Sequence, residues 1–244
     1  MKTFMNKKTV KRIRLETPRI YNKVAPVFYQ TRKKPWPIMD TIKPHIKLAT
    51  NILDLGCGSG RLAEFISKDQ NYLGIDNSKE LISLAKANYE NKNIKFKIGD
   101  AIESSLPKEK FDLVLLIAVL HHIPTKKLRF EVLKNINSAL KPNGKLIITN
   151  WNLWQKQYRK YLFSYRIKFL KNKILRLNDA FIPWRVDNKK QWRYVHSLTK
   201  NETKKLLKKA GFEISEIYYE HQGERTNIFK GKNSIAIAYK VKSS

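Results

Sequence analysis

The run Leu53-Asp54-Leu55-Gly56-Cys57-Gly58-Ser59-Gly60 holds the densest chemical signal in the chain. It follows a short apolar stretch, Asn51–Leu55, and precedes a segment with helical spacing at Leu62, Phe65 and Ile66. Glycines at a strand-to-helix junction let the backbone turn sharply and approach a ligand closely, at the C-terminal edge of a parallel sheet. The spacing is G-x-G-x-G; a dinucleotide fingerprint would need glycine at position 61, which is Arg61. Asp54, two residues before the first glycine, suits an ammonium group and would repel a diphosphate. No G-x-x-x-x-G-K-[ST] run is present, which disfavours a nucleoside triphosphate.

Two more acids fall at comparable places. Asp76 ends the run Tyr72–Ile75, where a carboxylate can accept hydrogen bonds from both hydroxyls of a ribose. Asp100-Ala101 follows the alternating run Ile94–Ile98 and fits an acceptor for an adenine amino group. Each acid alone reads equally well as a turn or cap residue. Their recurrence after three successive strands favours a shared ligand with an ammonium, a ribose and an adenine but no phosphate. S-adenosylmethionine has these parts. The expected cofactor-binding set is therefore Asp54, Gly56, Cys57, Gly58, Gly60, Asp76, Asn77, Asp100, Ala101 and Ile117. Within it, Cys57 is a small loop-filler, since nothing basic is arranged to activate its thiol.

The elements that must position these residues alternate. Helical spacing at Leu81, Leu84, Ala85 and Asn88 follows the second strand, and Leu113–Val119 is a continuous apolar run, as in a strand buried on both faces. Leu128 to Leu140 is helical, stopped by Pro142 and Gly144, and Lys145–Thr149 is the next strand. This rhythm predicts a parallel sheet with helices on both faces. After a helix over Asn201–Ala210, two β-rich runs, Phe212–Tyr219 and Ser234–Val241, have no helix between them and predict an antiparallel pair at the edge. The expected fold is α/β: a Rossmann-like, doubly wound, mostly parallel seven-stranded sheet with an antiparallel final strand. Residues 1–19 read as a flexible basic arm and 20–244 as one domain, with 151–197 inserted after the fifth strand as a basic helical cap. In that insertion Tyr158, Tyr161, Leu162, Tyr165 and Phe169 recur at helical spacing among Lys156, Arg159, Lys160, Arg166, Lys168, Lys171, Lys173 and Arg176.

The chain has 244 residues, 42% of them hydrophobic, which is enough for a sizeable core. Its formal net charge of +30 points to a polyanionic partner such as RNA, or to an anionic membrane surface, against a background of general lysine richness. A single cysteine excludes an internal disulfide and a multi-cysteine metal site, and no metal site is expected. No apolar run approaches a membrane span and the N-terminus lacks the apolar core of a secretory signal, so a cytoplasmic setting is expected.

After the fourth strand comes Ala118-Val119-Leu120-His121-His122-Ile123-Pro124, where an acceptor would meet the methyl group; one histidine capping a helix and the other packing is an equal alternative. No Asn-Pro-Pro-Tyr or Asp-Pro-Pro-Tyr run supports amino-group methylation, and one cysteine excludes a paired-cysteine route to a cytosine carbon. A carboxylate acceptor needs no general base, only a positive clamp and in-line placement, and arginine suits such a clamp. Tyr21-x-x-x-Ala25-Pro26-x-Phe28, Thr31-Arg32-x-Lys34-Pro35-Trp36-Pro37, Ile117 to His122 and Arg193-Tyr194-x-His196 together resemble the wobble-uridine tRNA carboxyl methyltransferases, over nearly all of Ile20 to Lys240. The resemblance implies that Tyr21, Tyr29 and Arg32 help close the cofactor site, and that His121, Arg193 and His196 face the substrate as its catalytic residues. It implies tRNA as partner and, as in the family's eukaryotic members, a small activating protein. The segment Trp151–Gln191 departs from the family pattern. Trp36 is equally a wedge between prolines or a stacking residue, and the insertion equally an RNA contact, a cap, or a membrane-lying helix of an enzyme acting on a small molecule or lipid headgroup.

Overall fold

The strand pattern read from the sequence becomes the centre of the molecule. In the computed structural model, which describes residues 5–32, 36–172, 178–186 and 189–241, five strands run parallel. These are β1 (Asn51–Leu55), β2 (Asn71–Asp76), β3 (Ile94–Ile98), β4 (Phe111–Ile117) and β5 (Leu140–Trp151). The β4 run is buried on both faces because its neighbours are helices on each side. Val114 and Leu116 pack with Val132, Leu133 and Ile136, while Leu113 and Leu115 pack with Ile42, Ile46 and Ile82. Those partners belong to α4 (Lys126–Ala139) on one face and to α2 (Met39–Lys47) and α3 (Lys79–Tyr89) on the other. Ser78 and Thr125 start α3 and α4 by accepting from Leu81 N–H and Leu128 N–H, as helix caps do.

Three expectations are corrected. The arm expected to be flexible is helical: α1 runs from Lys7 to Arg32. Thr9, Ile13, Ile20 and Val24 recur at helical spacing and are buried, a stripe hidden in the sequence by the basic residues between them. The helix expected through Leu62 and Phe65 is only a five-residue 3₁₀ turn, Arg61–Phe65, because Ile66 leaves it in extended conformation. The insertion is only half helical. It holds α5 (Arg159–Asn172) and then an antiparallel hairpin, β6 (Asp179–Val186) with β7 (Lys189–His196), pairing Ile182 with Arg193 and Phe181 with Tyr194. Ala180 and Ile182 show the strand period, which Pro183 obscures. They are buried with Leu153, Leu162 and Val195, and Trp151, Tyr158, Tyr161 and Tyr165 pack against them. The apolar face of α5 is thus turned onto the protein itself over its described side chains. Lys34, Pro35, Lys173 and Arg176 lie outside the described residues, as do the side chains of Arg166, Lys168, Phe169 and Lys171.

The chain ends with α6 (Lys200–Lys209), β8 (Phe212–His221), β9 (Glu224–Thr226) and β10 (Asn233–Lys240). The sheet order is β3-β2-β1-β4-β5-β10-β8-β9, with β10 antiparallel to both β5 and β8. This is the expected seven-stranded arrangement plus a three-residue strand, β9, which folds back on β8 and shortens the open edge. Among the described residues no helix is long and apolar enough to cross a membrane.

Candidate active site

The glycine loop bends because its residues have backbone angles that side chains resist. Gly56 has φ +84°, and a Cβ there would lie 2.2 Å from Val119 Cγ2. Gly56→Ala is therefore expected to displace Val119 and cost about 2 kcal/mol or more of stability, read as a lowered melting temperature. Gly60 also has positive φ, but a Cβ there would meet Phe96 and Ala85; it is a packing glycine and is not on the cavity wall. The loop and strand ends bound a cavity of about 520 Å³ that includes Asp54, Gly56, Cys57, Gly58, Asp76, Asn77, Asp100, Ala101 and Ile117.

The three acids differ in what they already hold. Asp76 Oδ2 accepts from Gly58 N–H at 2.9 Å and Oδ1 from Ser78 N–H at 2.8 Å, so this carboxylate shapes the loop while facing the cavity. Burial raises its pKa, against those hydrogen bonds. Asp54 Oδ2 accepts from the Tyr72 hydroxyl at 2.7 Å, while Oδ1 is buried with no partner. Burial pushes Asp54 up to about 7, with the Tyr72 bond opposing and Asp76 adding to the rise. Asp100 Oδ1 accepts from Ile102 N–H at 2.7 Å. The Cys57 thiol is raised by burial and by Asp54 and Asp76, which fits the loop-filler reading of its chemistry.

One wall of the cavity is α1, through Arg14, Thr17, Tyr21, Phe28, Thr31 and Arg32. Arg14, which sequence reasoning missed, pairs with Glu103 and lies 3.6 Å from Asp100 Oδ2. Nothing local marks it, since it is one cation among many. Asn22 ties α1 down by accepting from the Ser78 hydroxyl at 2.6 Å. Tyr29, expected at the cofactor, points elsewhere: it donates to Asn88 Oδ1 at 2.7 Å and does not line the cavity. Ala118, at the end of β4, has φ +59°, a costly angle for a residue with a side chain, and lies on the cavity wall.

The histidine pair is resolved by parity. His121 is fully buried and does not line the cavity; its ring stacks on Trp151 at 5.4 Å and its Nδ1 accepts from Trp151 N–H at 3.3 Å. His122 is the cavity residue. Its Nδ1 lies 2.8 Å from the Tyr194 carbonyl oxygen, which can only accept, so that nitrogen carries the proton. Nε2 then accepts from the Tyr21 hydroxyl at 3.0 Å. Burial lowers His122 to about 4, with Arg193 adding to the fall, and the ring is neutral at physiological pH.

Arg193 is buried behind the cavity wall, its guanidinium 4.7 Å from the Trp151 ring and 4.3 Å from the Trp184 ring, with Nε unpartnered. Arg32 lines the cavity; burial lowers its pKa and Arg193 lowers it further, against Tyr21. No acidic side chain pairs with either arginine among the described residues. Trp151, unmarked in the sequence as a site residue, lines the cavity with Tyr158, the two rings stacked at 6.0 Å.

His196 is not at the cavity. Its Nδ1 is 2.6 Å from Asp179 Oδ1 and its Nε2 is 2.9 Å from Glu202 Oε2; Tyr194 donates to Asp179 at 2.7 Å and Arg129 pairs with Glu202. This buried network ties the hairpin to α4 and α6. Asp179→Ala is expected to destabilise the protein by about 3 kcal/mol, since it strands the buried His196 Nδ1 and takes the nearer of two acceptors from Tyr194, lowering the melting temperature by roughly 6–12 °C. A melting temperature unchanged in that variant would remove the network from the account. Among the described residues no group of three or more His, Cys, Asp or Glu could hold a metal.

Comparison with known proteins fits this geometry. The chain is 31% identical to the tRNA (carboxymethyluridine(34)-5-O)-methyltransferase of Saccharomyces cerevisiae over 68% of its length and 55% of that protein's. It is 25% identical to the protein of the same name from Schizosaccharomyces pombe, over 82% of this chain and 90% of the relative. A solved SAM-dependent methyltransferase from Methanosarcina mazei superposes with a TM-score of 0.62 at 25% identity, covering 79% of this chain and 93% of that one. Residues 46–211, spanning the five parallel strands, the glycine loop and the insertion, match the family described as methyltransferase domain, and the chain belongs to that family.

Proposed function

We propose that this protein transfers a methyl group from S-adenosylmethionine to the carboxylate of a modified wobble uridine in tRNA. The observation that carries the acceptor chemistry is the desolvated pair Arg32 and Arg193, two cations beside one cavity with no acid against either. Such a pair is costly unless an anion joins it. The names of the relatives support tRNA as the carrier of that anion.

The cofactor fits the residues present. Asp54 Oδ1 is a buried acceptor without a partner, suited to an ammonium, and Gly58, where a Cβ would come within 3.3 Å of Phe28, lets the loop backbone form the cavity wall. Asp76 and Asp100 offer acceptors for ribose hydroxyls and an adenine amino group. When bound, S-adenosylmethionine would supply an electrophilic methyl on a sulfonium for the acceptor carboxylate oxygen, with the carbon–sulfur bonding pair left on sulfur. The chain's own residues then have three tasks. Arg32 holds the acceptor carboxylate at the cavity, with the Arg193 charge behind it. Trp151 and Tyr158 exclude water along the same wall. His122, kept neutral by burial and by the Arg193 charge, adds no positive charge against a sulfonium, and its acceptor nitrogen fixes Tyr21. No proton has to move, because the carboxylate is already ionised.

The test is transfer of labelled methyl into bulk tRNA, with and without nuclease, followed by mild alkali. It is run with the purified chain and again with extract of the native host, so that a required activating partner is supplied. Nuclease-sensitive label released by alkali is the expected result. Alkali-stable label in RNA would mean other RNA chemistry, and no label in either arm would overturn tRNA as the acceptor. In the same assay Arg32→Ala is expected to lower ester formation about a hundredfold, the loss of a charge-assisted contact.

A further inference from the structure

We infer that the outward face of α1 is the docking track for the RNA phosphate backbone, an inference that rests on tRNA being the substrate. An α-helix turns about 100° per residue, which places Lys8, Lys11, Arg12, Arg19 and Lys23 within one stripe roughly 120° wide. All five are exposed. Lys8 and Lys23 stand about 22 Å apart along the axis at about 1.5 Å per residue, long enough to follow several phosphates. Only one acid, Glu16, occurs in residues 5–32, and it faces Arg12 at 3.9 Å.

What distinguishes this stripe from the general basicity of the chain is where the helix leads. The other side of α1 carries Arg14, Tyr21 and Arg32 to the cavity wall, and the helix ends there. Phosphates laid along the outer face would therefore deliver a nucleotide to the cavity mouth. Around Tyr158, which also lines the cavity, Lys156, Arg159 and Lys160 are exposed, with no acid between Trp151 and Asn172. Both α1 and this segment thus bring exposed cations next to cavity-lining residues. The helix α6 is as basic, with Lys204, Lys205, Lys208 and Lys209 exposed, but none of its residues lines the cavity. The family match begins at residue 46 and so does not include α1.

Each phosphate neutralised by a lysine or arginine contributes about 0.9 to the slope of log affinity against log salt for a duplex, and about 0.7 for a single strand. Changing Lys8, Lys11, Arg19 and Lys23 together to glutamine in the full chain should therefore lower that slope by roughly 3, measured with unfractionated tRNA from 50 to 200 mM salt. S-adenosylmethionine affinity should stay within about twofold, because none of the four lines the cavity. The matched control changes Lys204, Lys205, Lys208 and Lys209 on α6 to glutamine and should leave most of the slope in place. An unchanged slope in the α1 variant, or an equal fall in both variants, would overturn the track. Loss of binding to anionic vesicles by the α1 variant, with tRNA binding intact, would overturn it in favour of a membrane surface. If the unsubstituted protein shows no salt-dependent tRNA binding at all, it is the tRNA reading itself that fails.

Discussion

Asp76→Ala is expected to weaken S-adenosylmethionine binding by about a hundredfold or more. Two hydroxyl donors to one buried carboxylate contribute roughly 1.5–3 kcal/mol each, and about 1.4 kcal/mol is a factor of ten. The carboxylate also accepts from Gly58 N–H and Ser78 N–H, so its removal loosens the glycine loop as well as deleting the ribose acceptor. Titration calorimetry with the cofactor checks the size of the effect. Asp76→Asn separates the two contributions: its side-chain oxygen can still accept one loop N–H, so the melting temperature should largely recover while affinity stays low. Near-wild-type affinity in Asp76→Ala would take Asp76 out of the cofactor site.

The parts of this molecule that were legible in the sequence are those with a strong local signature. Leu113–Val119 announces a doubly buried strand by composition alone, and the structure alternates its side chains between two helical layers. The acids at the ends of β1, β2 and β3 were readable because a parallel sheet brings the ends of its strands to one edge whatever the helices do. The two helix-free runs at the end become β8 and β10, antiparallel as their spacing required.

What escaped the sequence depended on direction rather than residue type. His121 and His122 are adjacent, and only the turn after β4 decides that His122 faces the cavity while His121 stacks behind Trp151. His196 and Arg193 sit in one motif, yet on β7 they serve different neighbours: His196 is held between Asp179 and Glu202, and Arg193 lies between two indoles. Tyr29 directly follows Phe28, which lines the cavity, but the helix turns it about 100° away and it bonds Asn88 instead. Arg14 was hidden for a different reason. Its role depends on Asp100 and Glu103, more than eighty residues away in sequence, and on a helix whose buried stripe was masked by lysines.

Cofactor affinity is expected to fall about tenfold per pH unit below pH 7, reaching roughly a hundredfold loss at pH 5, because Asp54 must be ionised to hold an ammonium. In the unliganded protein this carboxyl is raised to about 7 by burial, which outweighs the Tyr72 hydrogen bond; Asp76, also raised, steepens the fall if both take up protons. His122, at about 4, stays neutral across this window and contributes nothing to it. Above roughly pH 8 an α-amino group loses its proton, so affinity should peak between about pH 7 and 8. Stability runs the other way. A carboxyl whose folded pKa lies above its unfolded value favours the fold while protonated, and that contribution is lost as pH rises from about 4 to 7. The empty protein should therefore gain stability from Asp54 at the acidic pH where it loses its ligand. Asp54→Asn removes the titrating group and should flatten both profiles while weakening binding at every pH. Calorimetric titrations at pH 5, 6, 7 and 8, paired with melting curves without cofactor, read both arms. A wild-type affinity that does not change between pH 5 and 7 would mean that Asp54 is not the ammonium's partner. The unpaired oxygen beside the glycine loop would then need another occupant.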